Sequence, residues 1–195
     1  MNDGTLVHDI ALESNQKKLI RQRYLLTNKP VLYIANVDEA EITAETRSTS
    51  LQTLFDFAEK KQNAAIRLCG KLEAEIASLS EDEKSVFLEE YNLPEPGLDK
   101  LIHTSYQLLN LETFLIGSDK QVRAWTISNG DTATRAAREI HTDMERGFIK
   151  AEIYSYEYLM QYKYESALKD AGKIRQEGKK YIVKDGDIIF FKFNV

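Results

Sequence analysis

The chain has 195 residues, 43% hydrophobic and 29% charged with only three prolines, enough apolar content for one or two ordinary cores and too much for a disordered chain. Its one cysteine, Cys69, excludes a disulfide framework, Met1–Thr5 begins no signal-peptide pattern, and no run approaches the ~18 apolar residues of a membrane span, so a reducing, cytoplasmic setting without a membrane partner is expected. The net charge of −5 is uneven: residues 1–111 hold 12 Lys and Arg against 18 Asp and Glu, residues 112–195 hold 14 against 13, and neither part is basic enough to suggest a DNA-binding protein.

Along the first part, Leu6, Val7, Ile10, Leu19, Ile20, Tyr24 and Leu25 predict a helix ending near Thr27, closed by Pro30. Val31–Ala35 is a short continuous run of β-formers, the pattern of a strand buried on both faces. Residues 46–62 return to helical spacing through Leu51, Leu54, Phe55 and Ala58. Ala64–Cys69 predicts a second buried strand in which Arg67 is out of place. Leu72–Leu93 is helical and acidic and contains the capping-box match Ser80-Glu-Asp-Glu83. Pro94-Glu-Pro-Gly97 breaks the chain, a helix over Leu98–Leu109 follows, and a domain boundary is expected near Asn110.

Beyond it, strands are predicted at Thr113–Ile116, Gln121–Ile127, Phe148–Ile153, Tyr181–Lys184 and Ile188–Phe193, with helices at Thr132–Ile140 and Ser166–Arg175. Asp185-Gly186 separates the last two strands and predicts a hairpin turn. The order fits a small β-grasp fold, a mixed sheet crossed by a helix.

Few motifs carry chemistry. Asn36-Val-Asp-Glu39 follows a predicted buried strand, so its side chains would emerge at the carboxyl edge of a sheet, where open α/β sheets bind ligands. A phosphate-binding loop needs Gly-x4-Gly-Lys-Ser/Thr, and none is present. In Gly172-Lys-Ile-Arg-Gln-Glu-Gly-Lys-Lys180 the glycines are one residue too far apart and Lys180 takes the hydroxyl position. His141-Thr-Asp143 has a spacing unsuited to a metal pair or a helix-face dyad, which favours a cap between helix and strand over a partner-binding role with Arg146 and Lys150. His8 and His103 are isolated, so no metal site is expected. The tyrosines at 154, 156, 158, 162 and 164, beside Lys150 and Lys163, could stack on RNA bases, although packing explains such spacing more often.

Three blocks then point to a family. Val122-Arg-Ala-Trp-Thr-Ile127, Ile140-His-Thr-Asp-Met-Glu-Arg-Gly-Phe-Ile-Lys-Ala-Glu152 and Tyr181-Ile-Val-Lys-Asp-Gly-Asp187, in that order, resemble the TGS domain that ends the YchF-type, Obg-like ATPases. Upstream, Lys29-Pro-Val-Leu-Tyr-Ile-Ala-Asn-Val-Asp-Glu39 resembles the buried strand and base-reading loop of the same family, with Asn36 and Glu39 at the positions of its Asn-x-x-Glu motif. Cys69-Gly-Lys71 resembles its second base-contacting element, although Gly70 stands where alanine is usual, and Tyr164 stands where glycine is usual.

The resemblance implies an α/β and α+β chain: a helical arm over 1–28, the C-terminal part of a P-loop-type nucleotide-binding domain over 29–110, and a β-grasp TGS domain over 111–195. It implies a base site of Asn36, Val37, Glu39, Cys69, Gly70 and Lys71, with ATP and Mg²⁺ as ligands of the full-length family. The ribosome or rRNA is the implied partner, together with a separate N-terminal nucleotide-binding half. Lacking a phosphate loop, the chain alone is expected to bind no cofactor and hydrolyse nothing. The alternative is a protein- or RNA-interaction module with no nucleotide function.

Overall fold

A computed structural model describes residues 6–7, 10–118 and 121–194; the expectations placed on Met1–Thr5 and His8 fall outside them. The chain divides between Leu109 and Asn110 into two compact units.

In the first unit, helix α1 covers Ser14–Arg21 and buries no residue. The helix predicted to reach Thr27 stops short, because Tyr24 adopts a left-handed φ of 51° that a continuing helix cannot hold. Strand β1 (Leu32–Asn36) pairs in parallel with β2 (Ala64–Leu68), Leu32 opposite Ala64 and Asn36 opposite Leu68. These two strands form the whole of their sheet among the described residues. β1 is therefore not buried on both faces, and Ile34 is 46% exposed.

Short helix α2 (Glu39–Thr43) starts on Asp38, whose carboxylate accepts from the Glu41 amide. Helix α3 (Thr49–Lys60) packs on both strands, with Phe57 edge-on to Tyr33. The single acidic helix expected over Leu72–Leu93 is two, α4 (Gly70–Ile76) and α5 (Glu81–Glu90). The predicted capping box explains the break: the Ser80 amide donates to the Glu83 carboxylate at 2.9 Å and starts a new helix there. Helix α6 (Gly97–Leu108) begins on Pro96, which offers no cap, so the Glu73 carboxylate of α4 accepts from the Gly97 and Leu98 amides at 2.8 and 3.0 Å. A Cβ on Gly97 would lie 2.7 Å from that carboxylate, so only glycine admits the contact.

The second unit is a five-stranded mixed sheet, in the spatial order β4 (Gln121–Ser128), β3 (Leu111–Ser118), β7 (Asp187–Phe193), β5 (Phe148–Ser155) and β6 (Arg175–Glu177). β3 and β4 form an antiparallel hairpin, and β3 meets β7 in parallel. β7 and β6 flank β5, both antiparallel to it. A register shift at Ile149 puts Phe148 and Ala151 on one face despite their odd spacing.

That face is covered by α7 (Ala133–Ile140), capped by Thr132, whose Ala133, Ala136 and Ala137 let it approach Phe114, Ile153 and Ile189 closely. The other face carries Leu115, Tyr154, Ile188 and Phe190, partly covered by α9 (Tyr156–Tyr162) and α10 (Glu165–Asp170).

Three predictions fail here in whole or in part. Tyr181–Lys184 forms no strand: Ile182 makes one isolated bridge to Thr132, while the Val183 amide bonds to Asp131. Asp185-Gly186 is therefore no hairpin turn. Both residues serve β3 instead, the Thr113 amide donating to the Asp185 carboxylate and the Gly186 amide to the Thr113 carbonyl, each at 2.8 Å. The helix predicted for Ser166–Arg175 ends at Asp170, and Arg175 lies in β6.

Candidate functional site

Because β1 and β2 run parallel and in register, the segments leaving their carboxyl ends emerge side by side. One is Asn36–Glu39, leading into α2, and the other is Cys69–Lys71, leading into α4, which spans Gly70–Ile76. Two side-chain contacts join them. The Asn36 Oδ1 accepts from the Gly70 amide at 3.0 Å, and the Lys71 ammonium donates to the Glu39 carboxylate at 2.5 Å. The hydrogen bond to Glu39, and then the charge of Glu39, raise the Lys71 pKa above its ordinary value.

The six expected base-site residues are brought together, but they divide by role. Val37 and Cys69 point inward, packed with Ile42, Leu72, Phe87 and Tyr91. Asn36, Glu39, Gly70 and Lys71 are exposed or half-exposed above this cluster. The Val37 amide also donates to the Leu68 carbonyl at 2.9 Å, extending the β1–β2 ladder past the strand end. Cys69 is thus a small buried hydrophobe, only 3% exposed. A Cβ on Gly70 would approach Asn36 Oδ1 to 3.3 Å, so alanine there would press on the amide that joins the two segments.

Sequence reasoning missed two contributors. Asp38 caps α2 and so sets the direction in which Glu39 points; its place one residue before a helix start was the available signal. Tyr91 stacks on Phe87 at 4.7 Å beneath the site, and burial, then the charge of Glu39, pushes its hydroxyl pKa up. Nothing in its local sequence marks Tyr91.

Comparison with known proteins bears on this geometry. A family model, YchF-GTPase_C (Protein of unknown function, DUF933), matches residues 111–194. The chain is 44% identical over 186 residues to the Ribosome-binding ATPase YchF of Bacillus subtilis, covering 95% of this chain and 51% of that protein. It is 43% identical over 195 residues to the Ribosome-binding ATPase YchF of Pasteurella multocida, covering 100% and 53%. The solved structure of the Schizosaccharomyces pombe YchF GTPase superposes with a TM-score of 0.82 at 30% identity, over 98% of this chain and 51% of that one.

The chain belongs to the YchF family. It corresponds to the C-terminal part of these proteins and spans about half the length of the curated relatives it matches. Its mixed α/β architecture is that of the family.

The second group of candidate residues is not brought together. The His141 Nδ1 accepts from the Asp143 amide at 3.2 Å, so His141 caps the short helix α8 (Thr142–Arg146). Arg146 is exposed at the end of that helix, beside the α7 face of the sheet. Lys150 lies on the opposite face, where it donates to Gln176 at 3.1 Å and lies 3.8 Å from Glu152. The tyrosines also disperse. Tyr154 is buried and Tyr162, at the end of α9, packs against the cluster of Tyr154, Leu168 and Ile188, whereas Tyr156 and Tyr164 are exposed and Lys173 sits 5.2 Å over the Tyr158 ring. Among the described residues no three His, Cys, Asp or Glu side chains converge as a metal site, and no helix is long and apolar enough to cross a membrane.

Proposed function

We propose that this chain is the C-terminal portion of a ribosome-associated, ATP- or GTP-binding protein. In this reading residues 29–110 are part of a P-loop-type nucleotide domain, and residues 111–195 are a β-grasp, TGS-like domain. The observation that carries it is the Asn36–Gly70 hydrogen bond, which ties two loops into one rim at the carboxyl ends of parallel strands.

The chemistry of the rim suits a purine base. Asn36 spends its Oδ1 on Gly70, leaving the Nδ2 hydrogens to donate to a ring nitrogen. Glu39 gives one oxygen to Lys71, and the carboxylate can still accept from an exocyclic amine. The 6-amino group of adenine offers that donor, whereas the 6-carbonyl of guanine would face negative charge. Gly70 and Lys71 supply backbone along the rim.

When bound, the phosphates with Mg²⁺ supply the reacting group. The residues here fit the base and not that group, because no Gly-x4-Gly-Lys-Ser/Thr stretch is present. We therefore assign phosphate and metal contacts to a nucleotide-binding half outside these residues, and expect no hydrolysis from residues 1–195 alone. Ribosome association is inferred from the relatives, which are ribosome-binding ATPases. His141 and Arg146 are offered as partner-facing residues.

The test separates base from phosphate. Adenosine and guanosine are titrated into the isotope-labelled chain, and into Glu39→Gln, by amide NMR. Adenosine should shift the Asn36, Gly70 and Lys71 amides at lower concentration than guanosine. The amide variant should lose roughly fivefold of that preference, the worth of one net hydrogen bond. If neither nucleoside moves these amides, the base-site reading fails, and an interaction module without nucleotide function replaces it.

A further inference from the structure

On the sheet face opposite α7, helices α9 and α10 stop short of β4 and leave a hollow of about 280 Å³ within the second unit. Its floor is Leu115, Ile188 and Phe190, and one wall is Tyr154, whose ring stacks on Phe190 at a centroid distance of 6.2 Å. Gly117 leaves the hollow open: a Cβ there would meet only Phe190, at 3.7 Å, an ordinary contact. The rim is apolar and exposed, Val122 by 66% and Tyr156 by 49%.

Charge selects among occupants. Glu165 is the one ionisable acid or base, apart from the tyrosines, among the described lining residues. It is the first residue of α10 and is exposed. Burial, and then Glu165, pushes the Tyr154 hydroxyl up to about 12, so the phenol stays neutral. An apolar slot between aromatic faces with a carboxylate at its mouth is complementary to an aliphatic stem that ends in a cation. The exposed apolar rim continues the contact beyond the slot, which suits a side chain attached to a longer chain better than a free amine.

We propose that this hollow receives a lysine side chain from a partner polypeptide, its stem over Phe190 and Tyr154 and its ammonium at Glu165. The proposal stands independently of the base-site reading, because it involves a different unit and different residues.

Three blocked tripeptides test it, each with two valines around a central lysine, norleucine or Nε-acetyl-lysine. They are titrated into the full chain and followed at the Gly117, Val122 and Tyr156 amides by NMR, with n-butylamine as a fourth probe. The lysine peptide should bind roughly two- to fivefold tighter than the other two peptides, the range of an exposed ion pair. Glu165→Gln should erase that difference while leaving the norleucine peptide's affinity unchanged. Gly117→Val should abolish all binding by filling the hollow. Equal affinity for lysine and norleucine, n-butylamine binding as tightly as the lysine peptide, persistence of binding in Gly117→Val, or no binding by any probe would each overturn the proposal.

Discussion

Arg67 looked misplaced in a buried strand, and its guanidinium shows why the position tolerates it. It donates to the carbonyls of Glu41 and Ala44 at 3.1 and 3.3 Å, satisfying the exposed end of α2 and strapping that turn to β2. A buried donor that meets backbone carbonyls costs little, and no local pattern reveals such partners 23 to 26 residues away. Glu112 is the opposite case. Its Oε1 accepts from Asn129, but its Oε2 is buried without a partner. Burial, and then the charges of Asp185 and Asp187, raise its pKa above 4.5. A carboxyl with a raised folded-state pKa binds more protons folded than unfolded, so stability falls as pH rises from 4.5 through the folded value. Glu112→Gln removes the charge and keeps the acceptor for Asn129. It should raise the melting temperature of the second unit at pH 7, and the gain should shrink steadily as the pH is lowered toward 4.5. A gain that does not change with pH would refute this account.

At the scale of elements, most strands were legible. β4, β5 and β7 begin within one residue of expectation because β-branched and aromatic residues cluster there, in β7 as the continuous apolar run 188–191. The four residues Tyr181–Lys184 misled because their composition suits a strand. Tertiary partners decided otherwise: the Tyr181 hydroxyl donates to the buried carboxylate of Asp187 at 2.9 Å, and the Lys184 amide donates to the same oxygen. The segment therefore folds back on its own successor instead of pairing with it. Helix α9 was not placed because the spacing of its tyrosines fits packing in a helix, packing in a strand or an RNA surface; in the fold Leu159 and Tyr162 pack toward the sheet. Its neighbour α10 rests on Leu168, which is fully buried. Leu168→Ala should cost about 2–5 kcal/mol in denaturant unfolding of the second unit. A loss below about 1 kcal/mol would mean that α10 adds little to this core.

For the molecule as a whole, the two units differ in how much they bury. The second covers its sheet on one face fully and on the other in part, with Phe114, Ile153, Leu168 and Ile189 all inaccessible. The first has two parallel strands, a small cluster under the rim, and Ile34 and Phe57 nearly half exposed. Opening free energy follows such burial. Hydrogen exchange should find the slowest amides in β5 and β7, with β1 and β2 exchanging at least about tenfold faster. Equal, strong protection in both units of a monomer would contradict this.

What the sequence by itself determined was local and periodic: the positions of most strands, the capping box at Ser80, the helix beginning near Thr132, and the motif blocks that carry the family resemblance. The candidate rim was half legible, since Asn36–Glu39 and Cys69–Lys71 could each be named. Their union, through Asn36 to Gly70 and Glu39 to Lys71, depended on the parallel register of β1 and β2. Only the tertiary structure decided that Val37 and Cys69 anchor the rim, that Lys150 faces away from His141, and that a carboxylate-mouthed hollow lies beside Gly117. Each of those outcomes depends on contacts between residues far apart in the chain, and periodicity carries no information about which distant partner a side chain will meet.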